Sequence, residues 1–162
     1  MIVVSDTTLF SNFIQIDRLD LLRTVYGNVV IPRKVYEEVL ILGTAQIDLT
    51  TFLNANWITV QNPVLTDLVR QLLIHLDAGE SEAIALAEEL RADYRLTDDG
   101  KARKVAHSLG LRVTGSIGVL IQAKALGIAA EVKPLLDQLI VKSGYWISKN
   151  LYDAILKNVN ET

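Results

Sequence analysis

The first apolar block of the chain, Ile2-Val3-Val4, is short and β-branched, and it gives way at once to Ser5-Asp6-Thr7-Thr8. Such a block predicts a buried strand over 2–4. Leu9, Phe10, Phe13 and Ile14 then fall at helical spacing. A second short stripe of Leu21, Leu22 and Val25 follows Asp17 and stops at Gly27, which predicts a helix capped by Asp17. A strand is expected over 29–31. Pro32 stands where a helix accepts its first residue, ahead of a stripe of Val35, Val39 and Leu42.

The pattern continues with a helix over 44–55, a strand over 57–60 and, after Pro63, a helix over 64–76 with Leu65, Leu68, Val69, Leu72 and Leu76 on one side. Next come a helix over 80–91, a strand over 94–97, a helix over 101–109 ended by Gly110, and a strand over 111–113. Ser116 is expected to cap a helix running to Gly127, Pro134 lies early in a helix to 141, and Ser148 caps a last one to about 159. Strands alternating with helices of this length predict an α/β fold, its parallel strands joined by right-handed crossovers. No repeat, low-complexity tract or composition shift divides the chain. One domain over 1–162 is expected, with a core over about 1–127 and C-terminal helices over about 128–162.

Composition narrows the chemistry. Half of the 162 residues are hydrophobic, enough to build a core without staples. The absence of cysteine excludes disulfides, thiolate zinc sites and cysteine nucleophiles, and it fits the reducing cytoplasm expected as the location. The start lacks the pattern of a secretory signal. No apolar run approaches the roughly 20 residues of a membrane helix, so no membrane partner is expected. A net charge of −3 leaves any nucleic-acid binding to a local basic patch.

The acids carry the strongest signal. Ligands of open parallel sheets bind outside the carboxyl ends of the strands. Asp6 follows the first strand, and Asp98 and Asp99 follow the strand over 94–97, so both emerge on one edge. Two helices that start from this edge carry Glu37-Glu38 and Glu80-Ser81-Glu82. At about 100° per residue, Glu38 flanks the Val35–Val39–Leu42 stripe while Glu37 points away, and Glu80 lies about 30° from its helix's buried face against about 130° for Glu82. Glu38 and Glu80 are therefore the inward pair. Each acid also has an ordinary role: Asp6 and Asp98 or Asp99 as helix caps, Glu80 as a favourable charge at a helix start, Glu37 and Glu38 as a solvated turn. Only the shared edge lifts them above these. Carboxylates converging there repel each other, and a hard divalent cation such as Mg²⁺ or Mn²⁺ resolves the conflict and suits chemistry at phosphorus. Thr7 or Thr8 is placed to support Asp6 or a metal-bound water. His75 and His107 each stand without a ligand partner, Trp57 is expected in the core, and Tyr145 and Trp146 in the core or at a contact.

These residues resemble the PIN domain, a family of metal-dependent ribonucleases that includes the VapC-type toxins of toxin–antitoxin pairs, and within it a prokaryotic PIN-like subfamily regarded as toxin-related. The resemblance covers nearly the whole chain through VVSDTT, IPRKVYEEVL, LDAGESEAIALAEEL, YRLTDDGKARKVAHSLGL and VTGSIGVLIQAKALG. It implies a three-layer α/β/α fold around a mostly parallel sheet, and an endoribonuclease holding Mg²⁺ or Mn²⁺ on Asp6, Glu38, Glu80 and Asp99, with Asp98 beside the last. Glutamate at position 80 departs from the aspartate common in the family. The resemblance further implies an RNA substrate, a cognate antitoxin and a homodimer. Arg95, Lys101, Arg103 and Lys104 flank the last acid, either as a solvated face or as contacts to RNA phosphates. The competing reading is a catalytically silent PIN-like binding module, which Glu80 and the acidic total permit. A receiver domain is disfavoured, because Thr8 stands where a second acid after the first strand is required.

Overall fold

The computed structural model describes all 162 residues. Five strands, Val3–Ser5 (β1), Val29–Ile31 (β2), Ile58–Val60 (β3), Tyr94–Leu96 (β4) and Val113–Thr114 (β5), form one sheet in the order β3-β2-β1-β4-β5. All pairs are parallel. The central strand β1 sets Val4 opposite Val30 on one side, and Val3, Val4 and Ser5 opposite Tyr94, Arg95 and Leu96 on the other. Its valines have no exposed surface, as its unbroken β-branched run requires.

Ten helices cover the sheet: Thr7–Gln15 (α1), Asp20–Tyr26 (α2), Arg33–Leu42 (α3), Thr50–Leu53 (α4), Thr66–Leu72 (α5), Ala78–Glu89 (α6), Gly100–Ser108 (α7), Ser116–Ala125 (α8), Lys133–Lys142 (α9) and Lys149–Asn158 (α10). Right-handed crossovers put α1 to α4 on one face and α5 to α7 on the other. Helix α8 packs on α1, α2 and α9, and α6 packs across β1 and β4 between α5 and α7. Helix α6 is buried almost all round, and Ala83, Ala85 and Ala87 let it approach the sheet closely. The hydrophobic core is a single cluster of 38 buried residues that includes Trp57. No helix is long and apolar enough to cross a membrane.

Several local expectations are corrected. Asp17 caps nothing; it takes a left-handed φ of 55°, and α2 starts from Leu19 without a side-chain cap. The helix expected over 44–55 is a 3-10 turn over Gly43–Ala45 followed by the four residues of α4. Gln46 takes a left-handed φ of 63° that ends the turn and interrupts any continuous helix here. The helix over 64–76 shortens to α5, and the strand over 111–113 shifts to β5. Ser116 is not a cap but the first residue of α8, where its hydroxyl donates to Asp98. Ser148 does cap α10, accepting from the Leu151 amide at 3.1 Å. Helix α9 lacks a cap from its own flank. Glu161 fills that role from far along the chain, accepting from the Val132 and Lys133 amides at 2.8 Å each and from Lys124 at 2.8 Å.

Candidate active site at the sheet switch point

Strand β1 leads by crossover to β2 on one side, while β4 leads to β5 on the other, so the chain's winding reverses between β1 and β4. Parallel sheets open a crevice at such a point, beyond their carboxyl ends. Asp6 stands at its floor. Its amide donates to the Leu96 carbonyl at 3.3 Å, tying the ends of β1 and β4 together. Its Oδ1 caps α1 by accepting from the Leu9 amide at 3.1 Å, while Oδ2 is buried with no hydrogen-bond partner. Burial pushes the Asp6 carboxyl above its ordinary range, against the pull of the Arg95 guanidinium and Thr97, and Asp98 adds to the rise.

Helix α3 brings Glu38 to the same crevice. Its Oε1 is also buried and unpartnered. The carboxylate lies directly over Gly79 in the first turn of α6, where the Cβ of any other residue would collide with it. The Thr7 hydroxyl is buried beside it and favours its charged form, whereas burial, Asp77 and Asp6 push its pKa up. Thr8 is exposed.

The start of α6 supplies two acids. Asp77 and Glu80 form a reciprocal capping box: the Glu80 amide donates to Asp77 at 2.8 Å, and the Asp77 amide donates to Glu80 Oε2 at 3.3 Å. Glu80 is pushed up to about 7 by burial first, then by the charges of Asp77 and Asp99, and least by Asp6. Asp77 raises Glu38 as well as Glu80 and thus belongs to the group. The helix expected over 80–91 leaves Asp77 outside it. The Asp-x-x-Glu spacing of a capping box was the signal available to find it.

The adjacent acids after β4 part company. Asp99 turns toward Glu80 and caps α7, accepting from the Ala102 amide at 2.7 Å. Asp98 turns toward α1 and α8. Both its oxygens are engaged there, by the Ser116 amide at 2.7 Å, by the Ser116 hydroxyl, and by Asn12 at 2.8 Å. Tyr145 packs on the same side and is pushed up to about 12, by burial first and the Asp98 charge second.

Among the expected phosphate contacts, Arg95 is corrected. It has no exposed surface, and its guanidinium sits 3.6 Å from Asp6 Oδ2. A residue so enclosed cannot meet RNA. Arg103 is half-buried over Gly115, and Lys101 and Lys104 are exposed on α7 without ion pairs. A basic flank that sequence reasoning missed lies on the other side of Glu38. There, Arg33, Lys34 and Arg70 line a groove of about 560 Å³ between α3 and α5 together with Glu37 and Glu82, and Arg70 pairs with Asp67 at 3.3 Å. His75, His107 and Trp146 are exposed away from the core.

No three of the carboxylates stand close enough together to hold an ion as they are. The donor chemistry nevertheless fits a hard divalent cation, since two buried carboxylate oxygens, on Asp6 and Glu38, accept no hydrogen bond.

A PIN-domain family model, DUF3368, matches residues 2–161. No curated protein shows significant similarity to the chain. Among solved structures, it is similar to a PilT N-terminus domain protein, SSO1118, from the hyperthermophilic archaeon Sulfolobus solfataricus P2. That match has 18% identity and a TM-score of 0.49, and covers 87% of this chain and 95% of the other.

Proposed function

The chain belongs to the PIN-domain family, and from that premise we propose that it is a Mg²⁺- or Mn²⁺-dependent endoribonuclease. The observation that supports this reading is the convergence of Asp6, Glu38, Asp77, Glu80 and Asp99 at the β1–β4 switch point, with three of the carboxyls raised. Asp6 Oδ2 and Glu38 Oε1, which accept no hydrogen bond, are the oxygens that would hold the ion, the first of them with Arg95 at 3.6 Å. A bound divalent ion supplies Lewis-acid stabilisation and activates water for attack at phosphorus. Glu80 Oε1, the oxygen outside the capping box, belongs to a group titrating at about 7 and is suited to take a proton from an attacking water. Burial and then Asp77 raise the Glu80 pKa, and the Asp99 charge adds to that rise. Thr7 steadies Glu38. The exposed Lys101 and Lys104 on α7, with Arg33 and Lys34 in the mixed-charge groove, are the cations offered to RNA phosphates.

The reading extends to a cytoplasmic, homodimeric toxin whose antitoxin covers the acidic edge. The product of the adjacent open reading frame is then expected to block cleavage. The direct test is cleavage of an RNA panel with Mg²⁺ or Mn²⁺. Asp6→Asn and Asp99→Asn are expected to lower it by about 100-fold or more. Equal cleavage by the variants, or cleavage that survives EDTA, rejects the site.

The buried Arg95 within the acidic group favours a second reading, a catalytically silent PIN-like binding or regulatory module. Calorimetry separates the two: failure to bind Mn²⁺ at millimolar concentration supports the module.

A further inference from the structure

Arg95 is the largest fully buried side chain of the molecule, and it lies on a central strand between Tyr94 and Leu96. A buried guanidinium is retained in such a place only when charge compensates it. Here the compensation comes from the acidic crevice. Asp6 Oδ2 is 3.6 Å from Nη2, too far for a hydrogen bond but within ion-pair range. Asp77 and Glu80, at the start of α6, act on the same guanidinium. One nitrogen donates to the Leu96 carbonyl, which anchors the group. The other two, Nε and Nη2, have no hydrogen-bond partner, although the side chain is wholly enclosed. Its counterpart Oδ2 on Asp6 is likewise unpartnered. The two groups thus face each other with donor and acceptor capacity unspent.

We propose that Arg95 is the resident cation of the acidic crevice: a permanent charge, built into β4, that balances Asp6 and the start of α6. In the nuclease reading on which this rests, Arg95 is a positioning residue that holds the carboxylates together without metal. It also takes a share of the negative charge that divalent ions would otherwise neutralise. Two consequences follow. The metal-free protein keeps Asp6 and the start of α6 in place, because the guanidinium offsets part of their charge. Divalent affinity is lower than the same carboxylates would give without the guanidinium, because the incoming ion meets a fixed positive charge.

The test uses the full chain and reads stability and metal binding rather than cleavage, so its failure is distinct from failure of the nuclease reading. In EDTA, Arg95→Met is expected to lower the melting temperature strongly. Mn²⁺ is expected to restore it, with a Kd at least tenfold tighter than that of the native protein by calorimetry. Arg95→Lys, which keeps the charge, is expected to retain native-like Mn²⁺ affinity. Asp6→Asn combined with Arg95→Met is expected to melt in EDTA above either single variant, because neither partner is then left buried alone. If Arg95→Met does not fold in EDTA, recovery in the double variant supports the proposal, and a double variant no more stable than the worse single overturns it. Unchanged or weakened Mn²⁺ affinity in Arg95→Met also overturns it.

Discussion

Gly79 shows how a residue without a side chain shapes an acidic site. Glu38 occupies the volume where a Cβ at position 79 would stand, which lets the carboxylate lie against the first turn of α6 beside Asp77. In a helix, replacing glycine by alanine ordinarily gains about 1 kcal/mol. Here the gain is offset by expulsion of Glu38. Gly79→Ala is therefore expected to change stability little while moving the Glu38 titration down toward the ordinary glutamate range, as followed by NMR. Cleavage is expected to fall by about tenfold or more. An unmoved Glu38 titration would show that the contact does not hold the carboxylate. At this scale the sequence was readable where position alone decides orientation. The helical phases of Glu38 and Glu80 singled out the acids that face the crevice. The opposite turns of Asp98 and Asp99 were not readable, because two adjacent acids share one backbone position and differ only in their partners, Ser116 and Asn12 for one and the start of α7 for the other. Arg95 was misread because a cation near acids in sequence looks the same whether it faces solvent or the sheet.

Elements with an apolar stripe of normal length were legible, and those held by distant groups were not. Strand β2, helix α3 and helix α10 follow from local pattern and punctuation, and Ser148 caps where expected. Residues 44–55 read as helix only through weak propensity, and tertiary packing kept just the four residues of α4. The clearest non-local case is α9. Its first amides are satisfied by Glu161, which also pairs with Lys124 on α8 and ties three helices at one carboxylate. Nothing near Val132 announces this. Glu161→Ala leaves those amides unpaired and is expected to cost about 1–2 kcal/mol in denaturant unfolding, with faster amide exchange at Val132 and Lys133. A midpoint that does not move would remove Glu161 from the fold's support.

Taken as a whole, the molecule buries carboxyls beside one another in its crevice, and that gives its stability a definite pH dependence. Glu80 titrates at about 7 when folded and near 4.5 when unfolded, and Asp6 and Glu38 shift in the same direction. Between these two values the folded protein holds protons that the unfolded chain has released. Metal-free stability is therefore expected to fall as pH rises from about 5 to about 7.5. Glu80→Gln should flatten that decline, and thermal melts in EDTA across the range measure both. A decline unaltered by the substitution would place the titrating group elsewhere. The α/β architecture and parallel order were legible from the alternation of elements, and the sheet proved parallel throughout.

The strand order has one more consequence, and it concerns time. Strand β1 comes first along the chain, yet its neighbour β4 is separated from it by two strands and six helices. The crevice needs that pairing, since Asp6 and Asp99 stand at the ends of those two strands. Contacts so distant in sequence close late, after local helices have formed, and parallel sheets are slow to assemble. A partly folded chain therefore carries every one of the acids and none of the crevice, so the site forms only when the long loop between β1 and β4 has closed.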